Sequence, residues 1–505
     1  MRLSRNIAAN FIGRGWGVLS VLLVTPAYAR HLGLAGYGLV GLYATLLTVM
    51  AFADLGFTAT LNRELARLSA LGADSARRMG DTVRTAEAMY LVVVPLIALV
   101  LWSVAPIVAE RWLRLETLLR DDVILAIRLM GGAIALQLPA GLFIGGLQGR
   151  QEQSVATAVQ VTWGIGTAAL SLIAMQRLGA TVVVFAAVQL FTNLLYMLAA
   201  RSLLWRSIAR HGRISETRFQ RDVLHDLWRY ASGMLAMALL STALTQMDKL
   251  AISRLRSISE VGTYLLATTV ATAPLMLATP IAAAVFPRLT GGVAAADVEG
   301  VSVTYRFATQ LIALAVVPAS AVLVLFMTSF VLAWTGSADT ALAVSPSARF
   351  LVGGQLLQAL TLMPYFLGLA HGSVRMNLAV GVASLLVLTP LLIVAVPRLG
   401  LVGAAGSWLL MNVLVMPLYM RVLHRRLAVD EWTPWVTRAV LVPCTVAFAT
   451  AATLRLLLPT PTTRTMALVV LACSGMCTFA ATAVTLPTVT TFVRRQRLLW
   501  QAQHD

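Results

Sequence analysis

The sequence predicts an all-α protein that crosses a membrane many times. Three observations carry that expectation. The chain of 505 residues is 59% hydrophobic and only 12% charged, with a mean hydropathy of +0.81, where a soluble domain has about a quarter of its residues charged. Apolar stretches long enough to cross a bilayer, roughly 20 residues each, recur along the whole length. The arginines gather in the short segments between them, as the positive-inside rule distributes charge. No alternating ten-residue strand pattern suggests a β-barrel.

About fourteen spans follow in order. The first half holds roughly 7–29, 35–57, 87–109, 122–147, 154–175 and 180–203. The second half holds roughly 229–252, 258–285, 305–334, 344–370, 376–397 and 400–421, and two more follow at 436–458 and 464–488. With the N-terminus inside, inner loops receive most of the arginines, among them Arg63, Arg67, Arg77, Arg78 and Arg84. The connector between the halves is also basic, and its mixture with Glu216, Asp222 and Trp228 suits an interfacial helix. This bias places both termini on the cytoplasmic side. Arg2, Arg5 and Ala27-Tyr28-Ala29 resemble a signal peptide, but Arg14 interrupts its hydrophobic region, so the segment is expected to be retained.

The halves repeat. Arg30 to Gly38 matches Arg254 to Gly262, and Arg177-Leu178-Gly179 matches Arg398-Leu399-Gly400, at offsets of roughly 221–224 residues. Six spans per repeat is an even number, so the repeats share one orientation, related by an axis along the membrane normal. The expected domains are a six-helix lobe over 1–203, a connector over 204–228, a second six-helix lobe over 229–421, and two extra helices with a basic tail over 422–505.

The net charge of +18 does not indicate nucleic-acid binding, because the cations sit in loops flanking spans. Cys444, Cys473 and Cys477 lie in apolar spans and form no metal spacing or disulfide framework. There is no Walker loop, metal cluster or nucleophile triad, so neither catalysis nor a cofactor is expected. His31 and His371 read as interfacial polar residues.

The informative residues are charges inside spans, which are costly and usually face a partner or a water-filled cavity. Lys249 is the single lysine of the chain, and it stands beside Asp248 in the seventh span. Thr242, Gln246, Lys249 and Ser253 share one helical face. Adjacent residues diverge by about 100° on a helix, so Asp248 and Lys249 need not neutralise each other. Asn6, Asn10 and Arg14 form a second polar stripe. Arg128 and Arg349 lie in the outer thirds of the fourth and tenth spans, each able to snorkel to an interface. Asp54, near the inner end of the second span, is expected to pair with Arg63 or Arg67. Cations outnumber acids within the spans, which suits an anionic cargo.

These residues carry a resemblance. The stretch NIAANFIGRGWGVLSVLLVTPAYARHLGLAGYGLVGLYATLLTVMAFADLGF, followed by Arg63-Glu64, resembles the opening of the polysaccharide-exporter family of Wzx-type oligosaccharide flippases. Met247-Asp248-Lys249-Leu250, Glu260-Val261-Gly262-Thr263-Tyr264 and Pro397 to Ala405 continue it, over roughly residues 1–425. The motifs are partly shared across the multidrug/oligosaccharidyl-lipid/polysaccharide exporter superfamily. The resemblance implies two six-helix lobes around a central cavity in a bacterial cytoplasmic membrane. It implies translocation of an undecaprenyl-pyrophosphate-linked glycan, with membrane lipids and other polysaccharide-assembly proteins as partners. Arg14, Arg128, Lys249 and Arg349, with Gln246, would then receive pyrophosphate or acidic sugar, and Asp54 or Asp248 would couple an ion or hold structural pairs. Fourteen spans also suit lipid II flippases. A drug extruder would favour cavity acids over bases. A glycan polymerase would need a larger outer loop than the dozen residues near Glu110 to Asp121.

Overall fold

The computed structural model describes residues 2–50, 54, 56–71, 75–210, 239–427 and 432–486, with side chains from Ser20 onward except at 374, 432 and 434. Among the described residues there is no β-strand, and one isolated bridge joins Arg114 to Ser257. Eleven segments of the described residues are long and apolar enough to cross a membrane. Two of them contain a pair of expected spans each, broken at a glycine. Helix α1 (Arg2–Met50) breaks at Gly33, with φ 68° and ψ 174°. A later helix, Val374–Leu427, breaks at Gly400, with φ 59° and ψ −135°. Both are left-handed conformations that a side chain resists, so a helix can reverse there within one residue. Dividing these two segments gives thirteen of the roughly fourteen expected spans; helix 239–255 covers the later part of the seventh, whose residues 229–238 lie outside the described residues.

The chain forms two compact units, Met1–Gly262 and Thr263–Asp505. In the first unit, α2 (Phe57–Ser69) follows α1. Then come α3 (Ala76–Ile107), which ends in a π-turn at Val108–Trp112, α4 (Arg120–Gly149), α5 (Gln153–Leu178) and α6 (Val182–Ala209). Helix α7 covers 239–255, and α8 (Ile258–Ala271) begins at the unit's end. Helix α4 is the centre: α2, α3 and α6 all pack on it, while α1 packs on α5.

Helices in lipid gain little from hydrophobicity, so close contact through small residues holds them together. Gly145 and Gly149 of α4 receive Thr58 and Asn62 of α2, each pair four residues apart. Helix α2 lies where the sequence suggested only an inner loop. Its Phe57, Leu61, Leu65 and Leu68 recur at helical spacing and are buried, while Arg67 stays exposed beside Glu64 at 2.5 Å. That carboxylate raises the Arg67 pKa above its ordinary value. Helices α3, α6 and Val374–Leu427 also run beyond their apolar stretches, because polar residues continue the backbone hydrogen bonding past the hydrocarbon.

The second unit continues from α8 through α9 (Ala273–Ala294), α10 (Val298–Leu325), α11 (Met327–Thr335), α12 (Ala338–Leu360), α13 (Leu362–Ala370) and α14 (Val374–Leu427). It closes with α15 (Trp432–Trp435), the π-turn Val436–Leu441, α16 (Val442–Leu457) and α17 (Arg464–Thr485). Helix α10 is its counterpart of α4, with α9, α12, α16 and α17 packed on it. The repeat places a boundary before the seventh span, whereas compactness places it after Gly262. The two criteria differ because α7 repeats α1 in sequence but is tied to α3 in space. The interfacial helix expected in the connector falls on 211–228, and the basic tail on 487–505, both outside the described residues.

The matched glycines show why α7 and the start of α8 stay with the first unit. A methyl on Gly38 would overlap the carbonyl of Ile258, and one on Gly262 would overlap the carbonyl of Leu34. The contact is reciprocal, since Leu34 and Ile258 occupy the same place relative to their glycines. Gly262→Ala should therefore lower stability by about 1–3 kcal/mol or more. Gly164→Ala, in α5 with nothing near its added methyl, should be neutral or stabilise by up to about 1 kcal/mol. Melting temperatures of the two variants in detergent check the contrast.

Candidate functional site

Helix α7 carries the polar stripe, and the structure gives its members partners. The Lys249 ammonium donates to the Thr245 carbonyl at 2.5 Å and lies 3.4 Å from Asp248 Oδ1. The same carboxylate oxygen accepts the Lys249 backbone N–H at 2.8 Å. The divergence expected for adjacent residues is thus overcome: the long lysine stem curls back to Asp248, which is buried while Lys249 is partly open. Gln246 is half-buried and its amide lies 3.5 Å from the Thr245 hydroxyl. Ser253 is buried and donates to the Leu250 carbonyl at 2.9 Å.

The corner after α7 is braced by the end of α3. Trp112 closes the π-turn and donates its indole N–H to Ser253 Oγ at 3.0 Å. The Arg254 guanidinium lies 6.0 Å over the Trp112 ring. The Ile258 N–H donates to the Arg114 carbonyl at 3.2 Å. Ser257 and Glu260 form a reciprocal capping box at the start of α8, and Glu260 also takes the Arg256 fork at 2.8 and 3.1 Å. The Ser-x-x-Glu spacing was visible in the sequence; the Trp112–Ser253 bond, across 141 positions, had no local signal.

The other candidates with described side chains have contacts of their own. Arg128 lies 4.8 Å over the Trp102 ring, and its buried Nε has no hydrogen-bond partner among the described residues. A cation–π contact of this kind is worth about 0.5–2 kcal/mol and lets an arginine rest against the span wall. Arg349 is exposed on α12 and reaches Thr328 Oγ1 at 3.4 Å. Arg14 lies in α1, with its side chain outside the described residues, as are those of Asn6 and Asn10. Asp54 is not paired with Arg67, whose guanidinium goes to Glu64. It accepts instead from Tyr90 at 2.5 Å and from the Thr58 hydroxyl and N–H at 2.7 and 3.2 Å. The carboxylate thereby caps the start of α2, where it is favoured by the helix dipole.

A second ionic group, not signalled by the sequence, lies one turn from Tyr90. Glu87 is buried in α3 and accepts from Arg201 at 2.7 and 3.3 Å, from Trp205 at 2.8 Å and from Arg84 at 3.3 Å. Nearby, Arg150 is buried in the turn between α4 and α5 and donates to Ser207 at 2.6 Å, which donates on to Glu152 at 2.7 Å. Burial lowers the Arg150 pKa and Glu152 opposes the shift. His31 and His371 bond the carbonyls four residues back, as interfacial polar groups do. Among the described residues no cluster could hold a metal ion.

The model of a family described as polysaccharide biosynthesis protein matches residues 3–292. The chain belongs to that family. Three solved structures share the fold. One is a lipid II flippase in an inward closed conformation, at 12% identity and a TM-score of 0.73, covering 98% of this chain and 99% of that one. Another is an inward-facing multidrug resistance transporter of the MATE family in the MOP superfamily, at 15% identity and a TM-score of 0.65, covering 82% and 96%. The third is a MOP superfamily transporter from Pyrococcus furiosus described as having a binding pocket of reversed polarity, at 16% identity and a TM-score of 0.55, covering 85% and 95%. No curated protein matches the chain. The chain is a multi-pass membrane protein of the polysaccharide biosynthesis family, and its fold is the one these transporters and flippases share.

The Asp248–Lys249 contact should be energetically real. In a double-mutant cycle of Asp248→Asn and Lys249→Gln, the coupling should be about 0.5–3 kcal/mol, the range for residues in contact. Thermal unfolding in detergent measures it, and strict additivity would show the pair to be idle.

Proposed function

We propose that the chain translocates an undecaprenyl-pyrophosphate-linked oligosaccharide across the bacterial cytoplasmic membrane, with both termini cytoplasmic, for exopolysaccharide, capsule or O-antigen synthesis. The observation that carries this reading is membership of the polysaccharide biosynthesis family over residues 3–292. The charge distribution supports it. A pyrophosphate crossing hydrocarbon bare would face a desolvation cost of order tens of kcal/mol in the idealised limit, so a carrier has to offer fixed cations on the route. Lys249 suits that role, being the one lysine of the chain, placed in α7, with a long contact of 3.4 Å to Asp248. An arriving phosphate can take over the ammonium while Asp248 keeps the Lys249 backbone N–H. Arg14, Arg128 and Arg349 are proposed as further stations, and Gln246 as a neutral donor beside Lys249.

Translocation of lipid II is the second reading, favoured by coverage of 98% of this chain and 99% of the lipid II flippase structure. Polymerisation is disfavoured because only residues 113–119 separate the α3 π-turn from α4. Lys249→Ala should abolish glycan export while folded protein remains in the membrane, and Lys249→Arg should retain part of the activity. Export and membrane abundance of both variants in a strain lacking the native gene decide it. Normal export by well-expressed Lys249→Ala would remove Lys249 from the route.

A further inference from the structure

Helices α3 and α6 both lie on α4 and meet each other through Glu87, and a groove of about 450 Å³ lies between them. Each helix gives one face to it. On α3, Arg84, Glu87, Leu91 and Pro95 recur at helical spacing; on α4, Leu136, Pro139 and Phe143 form the floor; on α6, Leu198 and Arg201 form the far wall. The volume is in the range of small-ligand sites. Its two ends differ in chemistry. From Leu91 onward every α3 and α4 residue lining it is apolar, and Leu91 and Leu198 are themselves exposed at the rim. At the other end stand Arg84 and Arg201 with Glu87 between them, a net charge of one positive.

We propose that this groove binds one anionic phospholipid of the surrounding bilayer, with its phosphate on Arg84 and Arg201 and an acyl chain along the floor. The charge complementarity is specific. Arg201 commits its fork to Glu87 at 2.7 and 3.3 Å, whereas Arg84 touches Glu87 through one nitrogen at 3.3 Å. Arg84 therefore retains donors and is half-exposed where it lines the groove. Glu87 is held by Trp205 as well, so it stays in place and does not need the whole of either arginine. The distance from Arg84 to Pro95 along α3 is about 16 Å, so a phosphate at one end leaves the chain entirely within the apolar part. Basic pockets between transmembrane helices on the cytoplasmic side recognise anionic headgroups in the same way. The groove lies within the first unit, and its occupant is independent of the substrate proposed above.

Native mass spectrometry of the full-length protein, titrated with phosphatidylglycerol or phosphatidylcholine of matched chains, tests the proposal. The wild type should bind phosphatidylglycerol more tightly. Arg84→Gln should weaken that binding about fivefold and leave phosphatidylcholine unchanged. Leu91→Trp, at an exposed rim position, should weaken both lipids without lowering the melting temperature in lipid-free detergent. Equal binding of the two lipids by the wild type, or no effect of either variant, would overturn the proposal. Displacement of phosphatidylglycerol by undecaprenyl phosphate at lower concentration would also overturn it, and would give the groove to a polyprenyl carrier. Inorganic phosphate competing as well as the lipid would overturn it too, by showing an ion site with no role for the chain.

Discussion

A charge placed within a bilayer has to find its solvation inside the protein. That constraint orders the first unit. Glu87 is surrounded by two guanidinium groups and an indole N–H. Asp54 takes a phenol, a hydroxyl and a backbone N–H. Asp248 takes the ammonium and backbone N–H of its neighbour. Breaking one partner from a buried pair commonly costs about 3–5 kcal/mol, so Glu87 and Asp54 fix where α2, α3 and α6 can sit. Lys249 differs from the acids in being partly open.

The second constraint is steric. Where the second arm of α1 meets the start of α8, Gly38 and Gly262 bring backbone against backbone, each against the carbonyl four residues before the other. The residues are the matched positions of the sequence repeat. The capping box of Ser257 and Glu260 and the Trp112 bond hold the same corner. The polar stripe of α7 therefore ends at a braced corner.

Much of the architecture was legible in the sequence, because apolar runs of bilayer length have no other stable use. The span order survived into the structure, and the breaks at Gly33 and Gly400 fall where the sequence suggested turns. The matched Arg30–Gly38 and Arg254–Gly262 segments announced a repeat, though not that their glycines would face each other. Helix α2 was missed because its buried leucines are diluted by arginines, although Phe57, Leu61, Leu65 and Leu68 display the helical period. Glu87 was missed for another reason. An acid at the inner end of a span reads as loop, and its partner Arg201 lies 114 positions away. The Tyr90 bond to Asp54 had no local signal, because proximity in sequence favours arginines of the next loop, while Tyr90 approaches from another helix.

The proposed cargo is a lipid-linked oligosaccharide. Proteoliposomes containing the purified protein and a fluorescent undecaprenyl-pyrophosphate oligosaccharide test it most directly, with accessibility to a membrane-impermeant quencher as the signal. The account predicts rapid exchange of this lipid between leaflets, slower exchange of fluorescent lipid II, and loss of exchange in Lys249→Ala. Exchange of lipid II at an equal or greater rate, or transport of a cationic drug with neither glycolipid moved, would contradict it.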